Sequence, residues 1–176
     1  MKLIILDRDG VINYDSEHYI KSPAEWIPIP GSLAAMGEMT RKGYRIVIAT
    51  NQSGVGRGYY DEATLAAIHN KMHVLLKEFN GRVEKVFYCP HLPTQGCHCR
   101  KPAPGLLEQI AEYYQCDIKG VPFVGDSMRD INAALSVGCL PVLLRTGNGA
   151  ATEPLLAQFG KDIPVFDDLA AFAASL

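Results

Sequence analysis

Long apolar runs are missing from this chain: no stretch approaches the about 20 residues that a membrane-crossing helix needs. The first apolar stretch, Leu3 to Leu6, is four residues long, shorter than the ~7–15-residue core of a secretory signal. Charge of one sign is missing too. Lys and Arg total 17 against 19 Asp and Glu, a formal net charge of −2, which argues against a generally basic nucleic-acid binder and against an acidic disordered tail. No internal repeat, low-complexity tract or compositional break interrupts the 176 residues, so a single domain over 1–176 is the expectation. Cysteine is sparse and odd in number: Cys89, Cys97, Cys99, Cys116 and Cys139. Three of the five crowd into eleven residues, which does not look like a disulfide framework and in a reducing compartment signals a metal. Together these absences lead us to expect a cytoplasmic, monomeric protein that meets neither a membrane nor nucleic acid.

What is present is an alternation of short apolar runs with longer amphipathic stretches. Runs at Lys2–Leu6, Arg45–Ala49, Lys85–Tyr88, Val121–Val124 and Pro141–Leu144 are rich in Ile, Val, Leu and Phe. Most lack polar alternation, as strands buried on both faces of a parallel sheet do. Pro164–Phe166 adds a short edge strand. Helical spacing predicts helices over Ser32–Lys42, Glu62–Phe79 with Asp61 as cap, Gly105–Tyr114, Arg129–Val137, Pro154–Phe159 and Asp168–Ala174. The pattern predicts an α/β fold with an open, doubly wound (Rossmann-like) parallel sheet. The polar segment Pro90–Lys101 stands apart from it.

In such sheets ligands bind beyond the carboxyl ends of the strands, so the residues just after each apolar run are the informative ones. The first run ends in Asp7-Arg8-Asp9-Gly10, the second in Thr50-Asn51-Gln52-Ser53, and the fourth in Gly125-Asp126 with Asp130 four residues on. Arg100-Lys101 follows the Cys-rich loop. This set suits phosphoryl transfer. An aspartate can attack phosphorus to form an aspartyl phosphate. Mg²⁺, which prefers carboxylate oxygens, would cancel the repulsion between the two anions. Asp7, the Asp9 carbonyl and Asp126 would hold it. Lys101 and the Thr50 hydroxyl would steady the phosphoryl oxygens, and Asp9 would handle protons. Each residue alone reads more simply as a strand end, a turn or a surface charge. The ordered combination, each at a strand end, does not.

These motifs, Asp7-Arg8-Asp9-Gly10-Val11-Ile12, Thr50-Asn51-Gln52, Lys101-Pro102 and Gly125-Asp126 with Asp130, resemble the four motifs of the haloacid-dehalogenase-like (HAD) phosphatase superfamily. The resemblance covers most of the chain. It implies that Asp7 is the nucleophile and Asp9 the general acid/base. It further implies that Thr50 and Lys101 steady the phosphoryl group, that Asp7, Asp9 (through its carbonyl) and Asp126 bind catalytic Mg²⁺, and that Asp130 supports the metal site.

Cys89, His91, Cys97 and Cys99 read Cys-x-His, five residues, then Cys-x-Cys. Three thiolates and one imidazole fit a closed tetrahedral Zn²⁺ site with no position left for water, so a structural zinc is expected to fix this loop and place Arg100 and Lys101. His98 competes with His91 in sequence. Cys116 and Cys139 read as small buried hydrophobes. The zinc loop resembles that of the heptose-1,7-bisphosphate 7-phosphatase and histidinol-phosphatase family. The resemblance implies a phosphatase acting on a small phosphorylated sugar, with the 7-phosphate of the heptose bisphosphate, a precursor in lipopolysaccharide core biosynthesis, ahead of histidinol phosphate. Ser127 stands where heptose enzymes often carry Lys.

The intervals Asp9–Thr50 and Thr50–Lys101 leave no room for a cap domain, so the site should be open. Its walls would be Asn13–Lys21, Gly54–Tyr60 and the zinc loop. Arg100, with Arg57 as the alternative, would hold a second phosphate. Arg8, Asp15, His18, Tyr19, Asn51, Gln52 and Ser53 are further candidates for substrate contact. His69 and His73 read as a solvated helix face. A phosphoacceptor receiver module is the non-enzymatic alternative, but receivers carry an acceptor Asp after the third strand, where this chain has Cys89.

Overall fold

The computed structural model describes all residues, 1–176. Strands β1 (Leu3–Leu6), β2 (Arg45–Asn51), β3 (Val83–Cys89), β4 (Pro122–Gly125), β5 (Leu140–Leu144) and β6 (Val165–Phe166) join one sheet in the order β3-β2-β1-β4-β5-β6. Every neighbouring pair is parallel. Parallel neighbours need crossovers, and helices supply them. These are α1 (Ser32–Arg41), α2 (Ser53–Gly56), α3 (Glu62–Lys77), α4 (Gly105–Tyr114), α5 (Met128–Ser136), α6 (Gly149–Thr152) and α7 (Leu169–Ser175). The chain winds outward from β1 through β2 to β3, then returns to β4 on the other side of β1. That reversal opens a crevice at the carboxyl ends of β1 and β4.

Strand geometry divides the core into two layers. Successive side chains point to opposite faces, so Ile4 and Leu6 pack with Met36 and Met39 of α1, Ile68 and Met72 of α3 and Phe172 of α7. Leu3 and Ile5 pack on the other face with Leu106, Leu107 and Ile110 of α4 and Ala133 and Ala134 of α5. Each such large aliphatic side chain contributes about 1.5–3 kcal/mol by leaving water. All four residues of β1 are buried, which is why it reads as an unbroken apolar run. β3 lies at the edge and is only half-buried over Glu84–Val86, so its run is mixed. The short β6 closes the other edge.

Helix ends follow local chemistry. The Asp61 carboxylate accepts from Thr64 N at 2.7 Å and starts α3, and Asp168 accepts from Ala171 N at 2.8 Å and starts α7. The stretch Glu153–Phe159 is 3₁₀ rather than α-helical; Pro154 in its first turn contributes no N–H to an α ladder. The single-turn helices α2 and α6 are too short to show periodicity in sequence. Between Asp9 and the start of β2 the only helical elements are a 3₁₀ turn at Pro23–Glu25 and α1, so no separate domain covers the crevice. The wall segment is instead tied down by Lys71 of α3, whose Nζ donates to Pro23 O at 2.7 Å and Trp26 O at 2.8 Å. Trp26 itself is fully buried. No helix is long and apolar enough to cross a membrane.

α7 carries Leu169, Phe172 and Ala173 into the core and depends on one side-chain cap. Asp168→Ala is expected to lower stability by about 1 kcal/mol, read as a lower urea midpoint at unchanged slope.

Candidate active site

The carboxyl ends of β1, β2 and β4 deliver Asp7, Thr50 and Asp126 to one polar cleft of about 240 Å³. Asp7 Oδ1 accepts from Arg8 N at 2.7 Å and lies 2.9 Å from Lys101 Nζ. Both contacts fall on Oδ1, leaving Oδ2 without a protein hydrogen-bond partner in a residue that lines the cleft. Asp126 Oδ2 accepts from Asn148 N at 2.8 Å and Nδ2 at 3.1 Å. Gly10 makes this approach possible. It holds φ +81°, and a Cβ there would lie 2.1 Å from Asp126 Oδ2, so any side chain would displace the carboxylate.

Lys101 is 2% exposed. Its ammonium reaches Asp130 Oδ1 at 2.7 Å, Asp7 Oδ1 at 2.9 Å and Ala49 O at 2.9 Å. Burial alone would lower its pKa, but Asp130 and Asp7 raise it, so the group stays charged. Asp130 spends its other oxygen on Asp126 N, Ser127 N and Ser127 Oγ. It therefore braces the start of α5 and Lys101. The Asn51 amide clamps the Lys101 backbone from both sides, donating to Lys101 O and accepting from Lys101 N at 3.0 Å each.

Asp7, Asp126 and Asp130 each offer a carboxylate oxygen within 4.8 Å of the others. Burial, reinforced by Asp130, pushes Asp126 up to about 7 and holds Asp7 well above the usual carboxylate range despite Lys101. The cluster is short of positive charge, and its donors are hard oxygens, so it fits a small divalent cation. Asp9 behaves oppositely. Burial would raise its pKa, but Arg8, Asn13 and Gln52 bond both of its oxygens and hold it below its ordinary value.

The second cluster matches the Cys-rich loop. Cys89 Sγ lies 3.5 Å from His91 Nδ1 and 3.6 Å from Cys97 Sγ, and Cys99 Sγ lies 3.2 Å from His91 Nδ1 and 3.7 Å from Cys97 Sγ. Tetrahedral zinc at its usual bond lengths separates two sulfurs by ~3.8 Å and sulfur from nitrogen by ~3.6 Å. The four donors fit that ion. His98 is turned away, exposed and 2.6 Å from Glu108 Oε2, which leaves the imidazole position to His91. The loop also joins the cleft, because Gln52 N donates to Cys89 O and Gly56 N to Pro90 O.

Asp15, Tyr19, Ser53, Arg57 and Arg100 line the cleft. Tyr19 takes a left-handed backbone at φ +66° and lies under the Arg57 guanidinium at 5.6 Å. Arg100 Nη1 is buried without a partner. The expectations for Arg8, His69 and His18 need correction. Arg8 does not reach the cleft: it is fully buried, and its guanidinium is spent on Asp9, Gln52 and His69. Asn51 and Gln52 do line the cleft, but their amides are committed to Lys101 and to Asp9, Thr50, Arg8 and Tyr60. His69 is no solvated residue: it is 8% exposed and contacts Arg8. His18 is exposed and outside the cleft lining. Sequence reasoning missed Arg129 and Asn148, which also line it. Arg129 lies in the first turn of α5, three residues after Asp126, a position that spacing alone could have flagged.

A family model described as HAD-hydrolase-like matches residues 98–172. The D-glycero-β-D-manno-heptose-1,7-bisphosphate 7-phosphatase of Pseudomonas putida is 53% identical over 100% of this chain and 99% of its own length. The crystal structure of the D,D-heptose 1,7-bisphosphate phosphatase from Bordetella bronchiseptica, complexed with magnesium and phosphate, superposes with a TM-score of 0.94 at 54% identity, covering 99% of this chain and 97% of that one. The corresponding enzyme from Burkholderia thailandensis gives a TM-score of 0.76 at 41% identity over the same shares. With its sheet order, its carboxylate cleft and relatives this similar along their whole length, the chain belongs to the heptose-1,7-bisphosphate 7-phosphatase family of HAD-like hydrolases.

Proposed function

We propose that this chain, acting as a single cytoplasmic domain, removes the 7-phosphate of D-glycero-D-manno-heptose 1,7-bisphosphate through an aspartyl phosphate on Asp7. The observation that carries this reading is the Asp7 carboxylate, held through Oδ1 by the Lys101 ammonium and clustered with Asp126, in a chain 53% identical to a relative bearing that activity in its name.

Oδ2 of Asp7 attacks phosphorus, and the sugar oxygen leaves as it takes a proton from Asp9. Water then attacks the phosphoryl group on Asp7 while Asp9 accepts its proton, which releases phosphate and restores the carboxylate. The anionic form of Asp9 that Arg8 favours suits the second step. For the first step, the charge of an arriving phosphate raises the Asp9 pKa and lets it take up a proton. Lys101 and the Thr50 hydroxyl face the phosphoryl oxygens. Asp7, the Asp9 carbonyl and Asp126 would hold Mg²⁺, whose charge offsets the repulsion between Asp7 and the phosphate. Cys89, His91, Cys97 and Cys99 would hold structural Zn²⁺.

A second phosphate needs a cation remote from Asp7. Arg100 supplies one with an unsatisfied nitrogen, while Arg57 is already stacked on Tyr19. The guanidinium pKa of Arg100 is lowered by burial and by the charges of Arg129 and Arg57, so positive charge collects on this side of the cleft. That arrangement favours a bisphosphate over histidinol phosphate.

Asp7→Asn is expected to abolish phosphate release from the heptose bisphosphate while leaving the circular dichroism spectrum unchanged. Retained turnover would remove the covalent mechanism, and a phosphate-release screen that also includes hexose bisphosphates and histidinol phosphate tests the substrate. Because Asp126 keeps its proton up to about pH 7, a cation must displace that proton below this pH and not above it. The rise in melting temperature caused by Mg²⁺ should therefore be larger at pH 8 than at pH 6. Cys97→Ser or zinc chelation should lower the melting temperature by about 4–8 °C, the shift expected for a loss of ~2 kcal/mol in a chain of this size. It should also slow turnover, because Arg100 and Lys101 follow the loop directly.

A further inference from the structure

His69 takes no part in the steps above, yet α3 buries it. Its Nε2 lies 3.1 Å from Arg8 Nη1. Burial and the adjacent Arg8 charge push its pKa down to about 3, so the ring is neutral and Nε2 accepts the hydrogen bond. Arg8 in turn grips Asp9 Oδ1, with Nε and Nη2 each at 2.9 Å, and donates from Nη2 to Gln52 Oε1 at 3.2 Å.

Gln52 repeats this arrangement from the other side. Its Oε1 accepts from the Tyr60 hydroxyl at 2.7 Å as well as from Arg8. Its Nε2 is thereby turned toward Asp9 Oδ2 and Thr50 Oγ1, at 3.0 Å each. A flipped amide would set Oε1 against the Asp9 carboxylate. Tyr60 is itself held close: a Cβ at Gly54 would lie 2.2 Å from Tyr60 Cε1.

We propose that His69 and Tyr60 are positioning residues that fix the Asp9 carboxylate from behind, His69 through Arg8 and Tyr60 through Gln52. The inference rests on the reading of Asp9 as proton donor and acceptor. A neutral imidazole is suited to the role. It satisfies Arg8 Nη1 without drawing the guanidinium away from Asp9, as a carboxylate at position 69 would. Neither His69 nor Tyr60 lines the cleft, so their loss should reach the chemistry and leave substrate binding alone.

Steady-state kinetics on the heptose bisphosphate, with melting temperatures, test this on His69→Leu, His69→Gln and Tyr60→Phe, with Asp9→Asn as reference. Misplacing a catalytic group by about 1 Å costs up to about a hundredfold in rate. His69→Leu and Tyr60→Phe should therefore lower kcat about tenfold to a hundredfold with KM little changed. His69→Gln, whose amide oxygen can accept from Arg8, should recover most of the kcat that His69→Leu loses. A kcat at the wild-type level in Tyr60→Phe or His69→Leu, equal losses in His69→Leu and His69→Gln, or a loss confined to KM would overturn the proposal. Should His69→Leu fail to fold, Tyr60→Phe decides on the same criterion. Full activity in Asp9→Asn would instead sink the reading of Asp9 itself, whereas an inactive Asp9→Asn beside unaffected His69 and Tyr60 variants would sink only this inference.

Discussion

Three carboxylates crowd the carboxyl edge of the sheet, and one buried ammonium sits among them. Lys101 bridges Asp7 and Asp130, and without that charge the like charges of Asp7, Asp126 and Asp130 would repel one another in a poorly solvated site. Its compensation is partial, since one cation faces three acids. The raised pKa values of Asp7 and Asp126 express the remainder, and the same deficit makes the cleft receptive to a divalent cation. Ligand preference and internal strain are here one electrostatic fact.

Placing that ammonium takes structure from three directions. Asn51, at the end of β2, clamps the Lys101 backbone. Asp130, in the first turn of α5, receives its charge. The four thiol and imidazole donors end two residues before it and draw the loop into a closed knot. The loop is polar and could not order itself by burial. A zinc ion on these four donors would supply the order that a core supplies elsewhere, and the benefit would pass to the residue next in the chain. The two candidate metal clusters meet at Arg100-Lys101.

The sheet was legible because β1, β2 and β4 are buried on both faces and so carry unbroken apolar runs. The gathering of Asp7 and Asp126 in one cleft was legible because such runs stop abruptly at charged residues. The clustering of Cys89, His91, Cys97 and Cys99 was legible by spacing. Other features were not. Arg8 lies between two site aspartates in sequence, but a strand alternates its side chains, so Asp7 reaches the cleft while Arg8 turns into the protein interior. His69 and His73 share a helix face on paper. Only the packing of α3 against β1 shows that His69 meets Arg8. Asn148 reaches the site through tertiary folding from a stretch with no distinctive composition. In each case the missing information was a long-range contact, which neither periodicity nor local motif encodes.

Because nothing folds over the crevice, bulk water reaches the acyl phosphate throughout the cycle. Hydrolysis of that intermediate requires no opening motion, and discrimination between substrates cannot rely on a closure that only the right molecule triggers. On the proposed reading, selectivity would fall to fixed features: the reach between Asp7 and the guanidinium of Arg100, and a rim that includes Tyr19 and Arg57. The site would then gauge the distance between two anions on its substrate.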